Sequence, residues 1–431
     1  MRTVNILSIA AGLLCVISCS KYGVVKVEDP IMISSPTPTE QISKVTLDET
    51  QTGYVKAGNE MSFRFLDKLY DGDNLVCSPL SLQYAMSMAA NGAEGETLNE
   101  IVSFLGYGDN GIDALNEYNR LLLEQLPAVD LDVRLKVTDA LLVNDELPLK
   151  SSFEKTLEDY YYAAADNMDF SDPRQVAARI NEWADRSTDG FINKILDPSD
   201  ISEYAVAYIM NALYFKAKWA RDDDAPMFRD YNTKKEDFTL SNGKTVQVDM
   251  MRNSGYYEYA QMDGYQVLAL PYANCKFYMY ILLPDDNDVE GLVRKLPSIS
   301  WSGILNSLEG GTKVNLKLPK FNVENKYYLN DVLNDLGVKK AFKSGQAEFD
   351  RMFDADESWR FWIEKVIQKS RISVTEWGTE AGSVTIVEMD GFASAGPSKK
   401  PIDFFVDHPF IFIIGEKTSG TILFEGVVNR P

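Results

Sequence analysis

Residues 379–386 alternate in a way that few strands could exploit. Successive side chains of a strand point to opposite faces, so Thr379, Ala381, Ser383 and Thr385 share one face, and all four are small. Glu380, Gly382, Val384 and Ile386 share the other. A strand with one uniformly small face fits the crowded middle of a sheet, and a slip of one residue would present the wrong face. Gly378 bounds the stretch, and Gly391, Ala393, Ser394, Ala395, Gly396, Pro397 and Ser398 after it have loop composition. Composition alone reads this as an edge strand followed by a surface loop.

The rest of the chain mixes strand and helix patterns without regular β-α alternation, which places it in the α+β class rather than among doubly wound sheets. Phe63, Leu66 and Tyr70 mark a helix over Glu60 to Tyr70, ended by Gly72. Ser78-Pro79 opens another, serine as N-cap and proline in the first turn. Further helices are expected over 97–105, 112–126, 153–162, 176–188 and 329–336. Strands are expected over 131–143, 366–375, 402–406, 410–414 and 421–428. Ala205 to Phe215 reads as a central strand buried on both faces. Ser241-Asn242-Gly243-Lys244 has the chemistry of a hairpin turn.

No Pro/Gly/Ser-rich linker follows residue 60, so the 431-residue chain is read as a targeting segment (1–18), a Pro- and Ser/Thr-containing flexible tether (19–50) and one large domain (51–431). The net charge of −21 argues against binding nucleic acid, heparin-like polyanions or anionic membrane surfaces by charge. The apolar run from Val4 to Ile17 is too short to span a bilayer. Val16-Ile17-Ser18-Cys19 resembles a bacterial lipobox, which implies lipidation of Cys19, anchoring to the bacterial cell envelope, periplasmic or surface-exposed, and membrane contact only through the lipid. The alternative is an ordinary signal peptide and a secreted chain. Cys77 and Cys275 remain, both in apolar surroundings, and read as buried free thiols.

No catalytic constellation is legible. His408 is the only histidine and lies in an Asp-His-Pro-Phe turn between apolar strands, where a structural role fits better than that of a general base. No Cys/His metal spacing and no phosphate-binding glycine loop is present, Asp222-Asp223-Asp224 reads as a solvated acidic loop, and neither cofactor nor enzyme activity is expected.

Several motifs, in order from about residue 55 onward, resemble one family. They are Ser78-Pro79-Leu80-Ser81, Gly92-Ala93-Glu94-Gly95-Glu96-Thr97, Asn211-Ala212-Leu213-Tyr214-Phe215-Lys216-Ala217-Lys218-Trp219, and Leu318-Pro319-Lys320-Phe321 with Leu336-Gly337. Glu376-Trp377-Gly378-Thr379-Glu380-Ala381 with the later Asp407-His408-Pro409-Phe410 completes the set. These resemble the serpins. The resemblance implies a serpin fold of about nine helices around three mainly antiparallel or mixed sheets, with an exposed reactive loop near the C-terminus.

It also implies a suicide-substrate inhibitor, monomeric, whose partner is a serine protease or, less fittingly, a cysteine protease. The hinge would comprise Glu376, Gly378, Thr379, Glu380, Ala381, Gly382, Ser383, Val384 and Thr385. The family's loop length places the reactive bond between Phe392 and Ala393, fourteen residues past Gly378, with Met389 as a secondary bait. Phe392 suits chymotrypsin-like or subtilisin-like proteases with a large apolar pocket. A gate to the main sheet would involve Ser78, Ser81, Asn211 and Gln368. Gln368 stands where the family carries a histidine that bonds the residues matching Asn211 and Ser81, and Trp377 stands where a charged residue is usual. A non-inhibitory serpin serving as a binding or scaffold protein is the alternative function.

Overall fold

Asp48 starts the first helix: its side chain accepts from the Gln51 amide while Gln51 reaches back to the Asp48 amide. That capping box puts the helix start at Glu49, ahead of the Glu60 expected from the apolar stripe. The computed structural model describes residues 37–145, 147–202, 205–220, 226–354, 361–379 and 400–431. Their elements run α1 (Glu49–Leu69), β1 (Leu75–Cys77), α2 (Pro79–Gly92), α3 (Gly95–Leu105), α4 (Gly111–Gln125), β2 (Arg134–Asn144), α5 (Ser151–Tyr161), β3 (Ala164–Met168), α6 (Pro173–Ser187) and β4 (Ala207–Lys218). There follow β5 (Lys234–Thr239), β6 (Thr245–Gln261), β7 (Tyr265–Pro271), β8 (Phe277–Pro284), α7 (Val289–Lys295), α8 (Trp301–Ser307), β9 (Glu309–Pro319), β10 (Phe321–Tyr328) and α9 (Asn330–Asp335). The chain closes with β11 (Ile367–Thr375), β12 (Gly378–Thr379), β13 (Ile402–Phe405), β14 (Phe410–Glu416) and β15 (Ile422–Val428).

Among the described residues these are nine α-helices and two sheets, an α+β arrangement as expected. One sheet has the order β1-β15-β14-β8-β7-β6-β9-β13, with β5 also on β6. Three sheets were expected, and β6 explains the difference. It is 17 residues long: its first part pairs with β5, its middle with β9 and its last residues with β7, so two blades share one strand. The other sheet has the order β10-β11-β12-β4-β2-β3 and carries the site.

Two cores flank that second sheet. Leu135, Val137, Leu213, Phe215, Ile372 and Val374 face the main core, where α2 also lies. Ala140, Leu142, Met210 and Ala212 face Val176, Ile180 and Trp183 of α6. The alternation follows from the strand period, and it decides which side chains the site can use.

Several expectations shift. Four elements escape the sequence reading: β3, β10, and the short α7 and α8, opened by Asp288 and Ser300 caps. The strand expected at 205–215 runs from Ala207 to Lys218, and Ala207, Ile209 and Asn211 are half-buried rather than enclosed. The reason is that most of one flank of β4 has no ladder partner among the described residues. Cys77 is buried and free as expected, but Cys275 is free and partly exposed, in a tight turn at φ 59°. Ahead of residue 51, Val45 is buried, the Ile42 amide donates to the Ala128 carbonyl at 2.9 Å, and Lys276 Nζ donates to the Ser43 carbonyl at 2.8 Å.

Candidate functional site

The site is a seam between β4 and β11. No ladder joins these strands directly among the described residues; β12 lies between them and pairs with both. Gly378 sits opposite Lys218 on one side and Thr375 on the other, and Thr379 sits opposite Ala217 and Val374. Two intervening strand spacings hold β4 and β11 about 9–10 Å apart there.

Glycine at 378 is required by close approach. Its φ is +137°, and a Cβ would lie 2.1 Å from the Ala217 carbonyl oxygen and 2.7 Å from Lys218 Cα. Thr379 turns into the core, 3% exposed, and its hydroxyl meets the hydroxyl of buried Tyr272. Trp219 stacks on Tyr272, rings 4.6 Å apart and 7° from parallel, and its indole N–H donates to the Thr375 carbonyl at 2.9 Å. This aromatic pair fixes the height at which Gly378 and Thr379 join the sheet.

Glu376 anchors the turn before β12. It is 6% exposed, pairs with Lys320 Nζ at 2.9 Å and accepts from the Thr233 hydroxyl at 2.7 Å. Burial alone would raise its carboxyl, but the Lys320 and Thr233 contacts outweigh it and hold the group below the ordinary range. Trp377 is 47% exposed and points away from the seam.

Deeper in the seam the structure brings the four expected gate residues together around the N-terminus of α2. Ser78 caps the helix: its hydroxyl accepts from the Ser81 amide at 3.1 Å and donates to the Leu423 carbonyl at 2.8 Å. Gln368 forms a closed pair with the Ser78 backbone, accepting from its N–H at 3.0 Å and donating to its carbonyl at 2.9 Å. Across the seam the Ser81 hydroxyl donates to Asn211 Oδ1, and Asn211 Nδ2 donates to Asp139 at 2.7 Å. Glutamine therefore does not reproduce the bonds implied for the family's histidine, since its amide is spent on Ser78. The four residues thus form two separate groups, each docked at the start of α2.

Asp139 is the member that motif reading missed. A signal was available: it lies on the inward pleat with Leu135, Val137 and Leu141, where a carboxylate needs a partner. At the lower end of the seam, about 580 Å³ of open space is lined by Met86 of α2, Ala207 and Ile209 of β4, and Phe361, Ile363 and Val366 before β11. Glu380, Ala381, Gly382, Ser383, Val384, Thr385, Met389, Phe392 and Ala393 lie outside the described residues, as do Cys19 and Asp222-Asp223-Asp224.

His408 has a structural setting: Nδ1 lies 2.9 Å from Asp407 Oδ1, and Nε2 lies 2.8 Å from the Pro284 carbonyl oxygen. No group of three or more potential metal ligands occurs among the described residues.

A sequence model of the family described as "Serpin (serine protease inhibitor)" matches residues 56–431. The chain belongs to the serpin family. Serpins are protease inhibitors rather than enzymes. An uncharacterized serpin-like protein of Thermococcus kodakarensis is 33% identical over 422 residues, covering 94% of this chain and 95% of its own length. A cleaved serpin, Serpin 42Da, superposes with a TM-score of 0.78 at 28% identity, over 89% of this chain and 99% of that one. The native stressed conformation of Arabidopsis AtSerpin1 superposes with a TM-score of 0.76 at 29% identity, over 90% and 99%.

Proposed function

We propose that this serpin inhibits chymotrypsin-like or subtilisin-like serine proteases as a suicide substrate. The protease attacks the loop at Phe392–Ala393, and the acyl-enzyme is trapped when the loop adds to the six-stranded sheet between β4 and β11. The observation that carries this reading is the seating of Gly378 and Thr379 between the two strands, with Thr379 facing inward. Extending that register two residues at a time puts Ala381 between Phe215 and Ile372, Ser383 between Leu213 and Ser370, and Thr385 between Asn211 and Gln368. The small inward face of 379–385 thus matches the row of buried positions it would meet, and Thr385 would fall at the gate. Val387 would lie beside Ile209 and Val366, and Met389 beside Ala207, residues that border the open space at the lower end.

A strand of about ten residues gains several ladder hydrogen bonds at about 0.5–1.5 kcal/mol each, plus side-chain burial. The sum is on the order of 10 kcal/mol, comparable with the stability of a domain, enough to drive displacement of a tethered protease. The test is incubation with a chymotrypsin-like protease, read by denaturing gel and intact mass. A band at the summed mass and a released peptide beginning at Ala393 are expected. Complete cleavage without that band would refute inhibition of this class.

We further propose that Cys19 carries a lipid that tethers the inhibitor to the cell envelope. Metabolic labelling with an alkyne fatty acid tests this: label should enter the wild-type chain and not Cys19→Ser, and equal labelling of both would refute it.

A further inference from the structure

Asp139 occupies the middle of β2, directly across from Asn211, and is 1% exposed. Its Oδ1 accepts from Asn211 Nδ2, and its Oδ2 has no hydrogen-bond partner. The titratable side chains facing it are the phenols of Tyr84 on α2 and Tyr161 on α5, and the Tyr84 hydroxyl is itself buried and unpartnered. Ser81 of α2 and Asn211 of β4 are neutral. α6 packs on the opposite face, against Ala140 and Leu142. Arg134 and Lys136 of β2 itself lie on the opposite pleat and pair with Asp189. So among the described residues no cation faces this carboxyl. Burial, only partly offset by the Asn211 hydrogen bond, pushes it up to about 7.

We propose that Asp139 makes the opening of the seam depend on pH: the neutral acid lets β4 rest on α2 through Asn211 and Ser81, and the ionised form favours states in which β4 leaves α2 and water reaches the carboxylate. The sign follows from linkage. The folded seam binds a proton more tightly than an opened one, so its stability falls as pH rises between the ordinary aspartate range and neutrality, then levels off. Across that window each pH unit shifts the opening equilibrium by up to about tenfold. The proposal concerns the seam itself and holds whether or not the loop inhibits a protease.

Hydrogen–deuterium exchange of the full-length protein between pH 5.5 and 8, corrected for the intrinsic rate, reads the opening strand by strand. Protection of β4 and β11 should fall about tenfold or more between pH 5.5 and 7.5, while β7 and β8 stay level. In Asp139→Asn the β4 and β11 profiles should become flat. Glu425 is the other buried acid near the gate, beside Ser62 and Cys77 behind Ser78, and burial raises it well above the usual carboxylate range. Glu425→Gln should therefore leave the β4 and β11 slope in place. An unchanged slope in Asp139→Asn, or its loss in Glu425→Gln instead, overturns the proposal. If Asp139→Asn fails to fold, the wild-type profile still decides: a fall spread equally over β7 and β8, or no fall in β4 and β11, refutes it.

Discussion

Replacing Gly378 by alanine tests how the hinge is seated. At φ +137° an alanine is strained by about 1–3 kcal/mol. Its Cβ would also meet the Ala217 carbonyl oxygen at 2.1 Å and Lys218 Cα at 2.7 Å, backbone atoms of β4 that no rotamer change can move. Overpacking of that kind adds about 1–3 kcal/mol. Against this, β12 is held by a few ladder bonds and the Thr379–Tyr272 contact, together about 2–4 kcal/mol. The penalty matches or exceeds what seats the strand, so the hinge should leave the seam, and the measured loss should be capped near 2–4 kcal/mol. Gly72→Ala is the control: its φ is +99°, yet no atom lies within 4 Å of the added Cβ, so it isolates backbone strain at about 1 kcal/mol. Urea unfolding followed by circular dichroism gives both losses on one scale. A Gly378→Ala loss no larger than that of Gly72→Ala would refute the seating of β12 between β4 and β11.

Glu376→Gln should cost about 1–2 kcal/mol, a buried pair discounted because Lys320 is 37% exposed. Because the Glu376 carboxyl is held below its ordinary value, its contribution is present above about pH 4.5 and lost as pH falls through the folded value, so the variant should show a flatter acid limb in urea midpoints. His408 is the chain's only histidine, so one imidazole signal titrates in proton NMR. Burial would lower it, but Asp407 and the Pro284 carbonyl outweigh that and raise it; a midpoint at or below 6.5 would contradict the contact, and the stabilisation it gives should be full below 6.5 and fade as pH rises through the folded value. Ala381→Arg would place a guanidinium between Phe215 and Ile372, so cleavage by a chymotrypsin-like protease should persist while the denaturation-resistant complex is lost; survival of the complex would refute the register.

Much of this was legible because local rules and family motifs agreed. Ser78-Pro79 predicts the cap at the start of α2, and the period of two from Thr379 predicts its inward turn. What escaped depends on distant partners. The alternation of Leu135, Val137 and Leu141 puts Asp139 on the inward pleat, but only pairing Arg134–Asn144 with Ala207–Lys218 in one register places it opposite Asn211. Gln368 stands where the family carries a histidine, and its amide reaches the Ser78 backbone, a geometry that no spacing encodes. The short helices α7 and α8 lack a long apolar stripe and exist because their Asp288 and Ser300 caps meet a ready core.

The divided gate bears on how such a seam can wait and still open. If Gln368 bonded Asn211 directly, an incoming strand would first have to break that bond in a dry interior, where each lost partner costs about 1–3 kcal/mol. Here the β11 half is satisfied by the Ser78 backbone and the β4 half by Ser81 and Asp139, all on elements that flank the slot rather than cross it. On the proposed insertion, a strand with threonine at 385 would pass between the halves while both keep their partners. The restraint on opening then falls on what holds β4 against α2, and there the Asp139 carboxyl is the buried acid with an unpartnered oxygen.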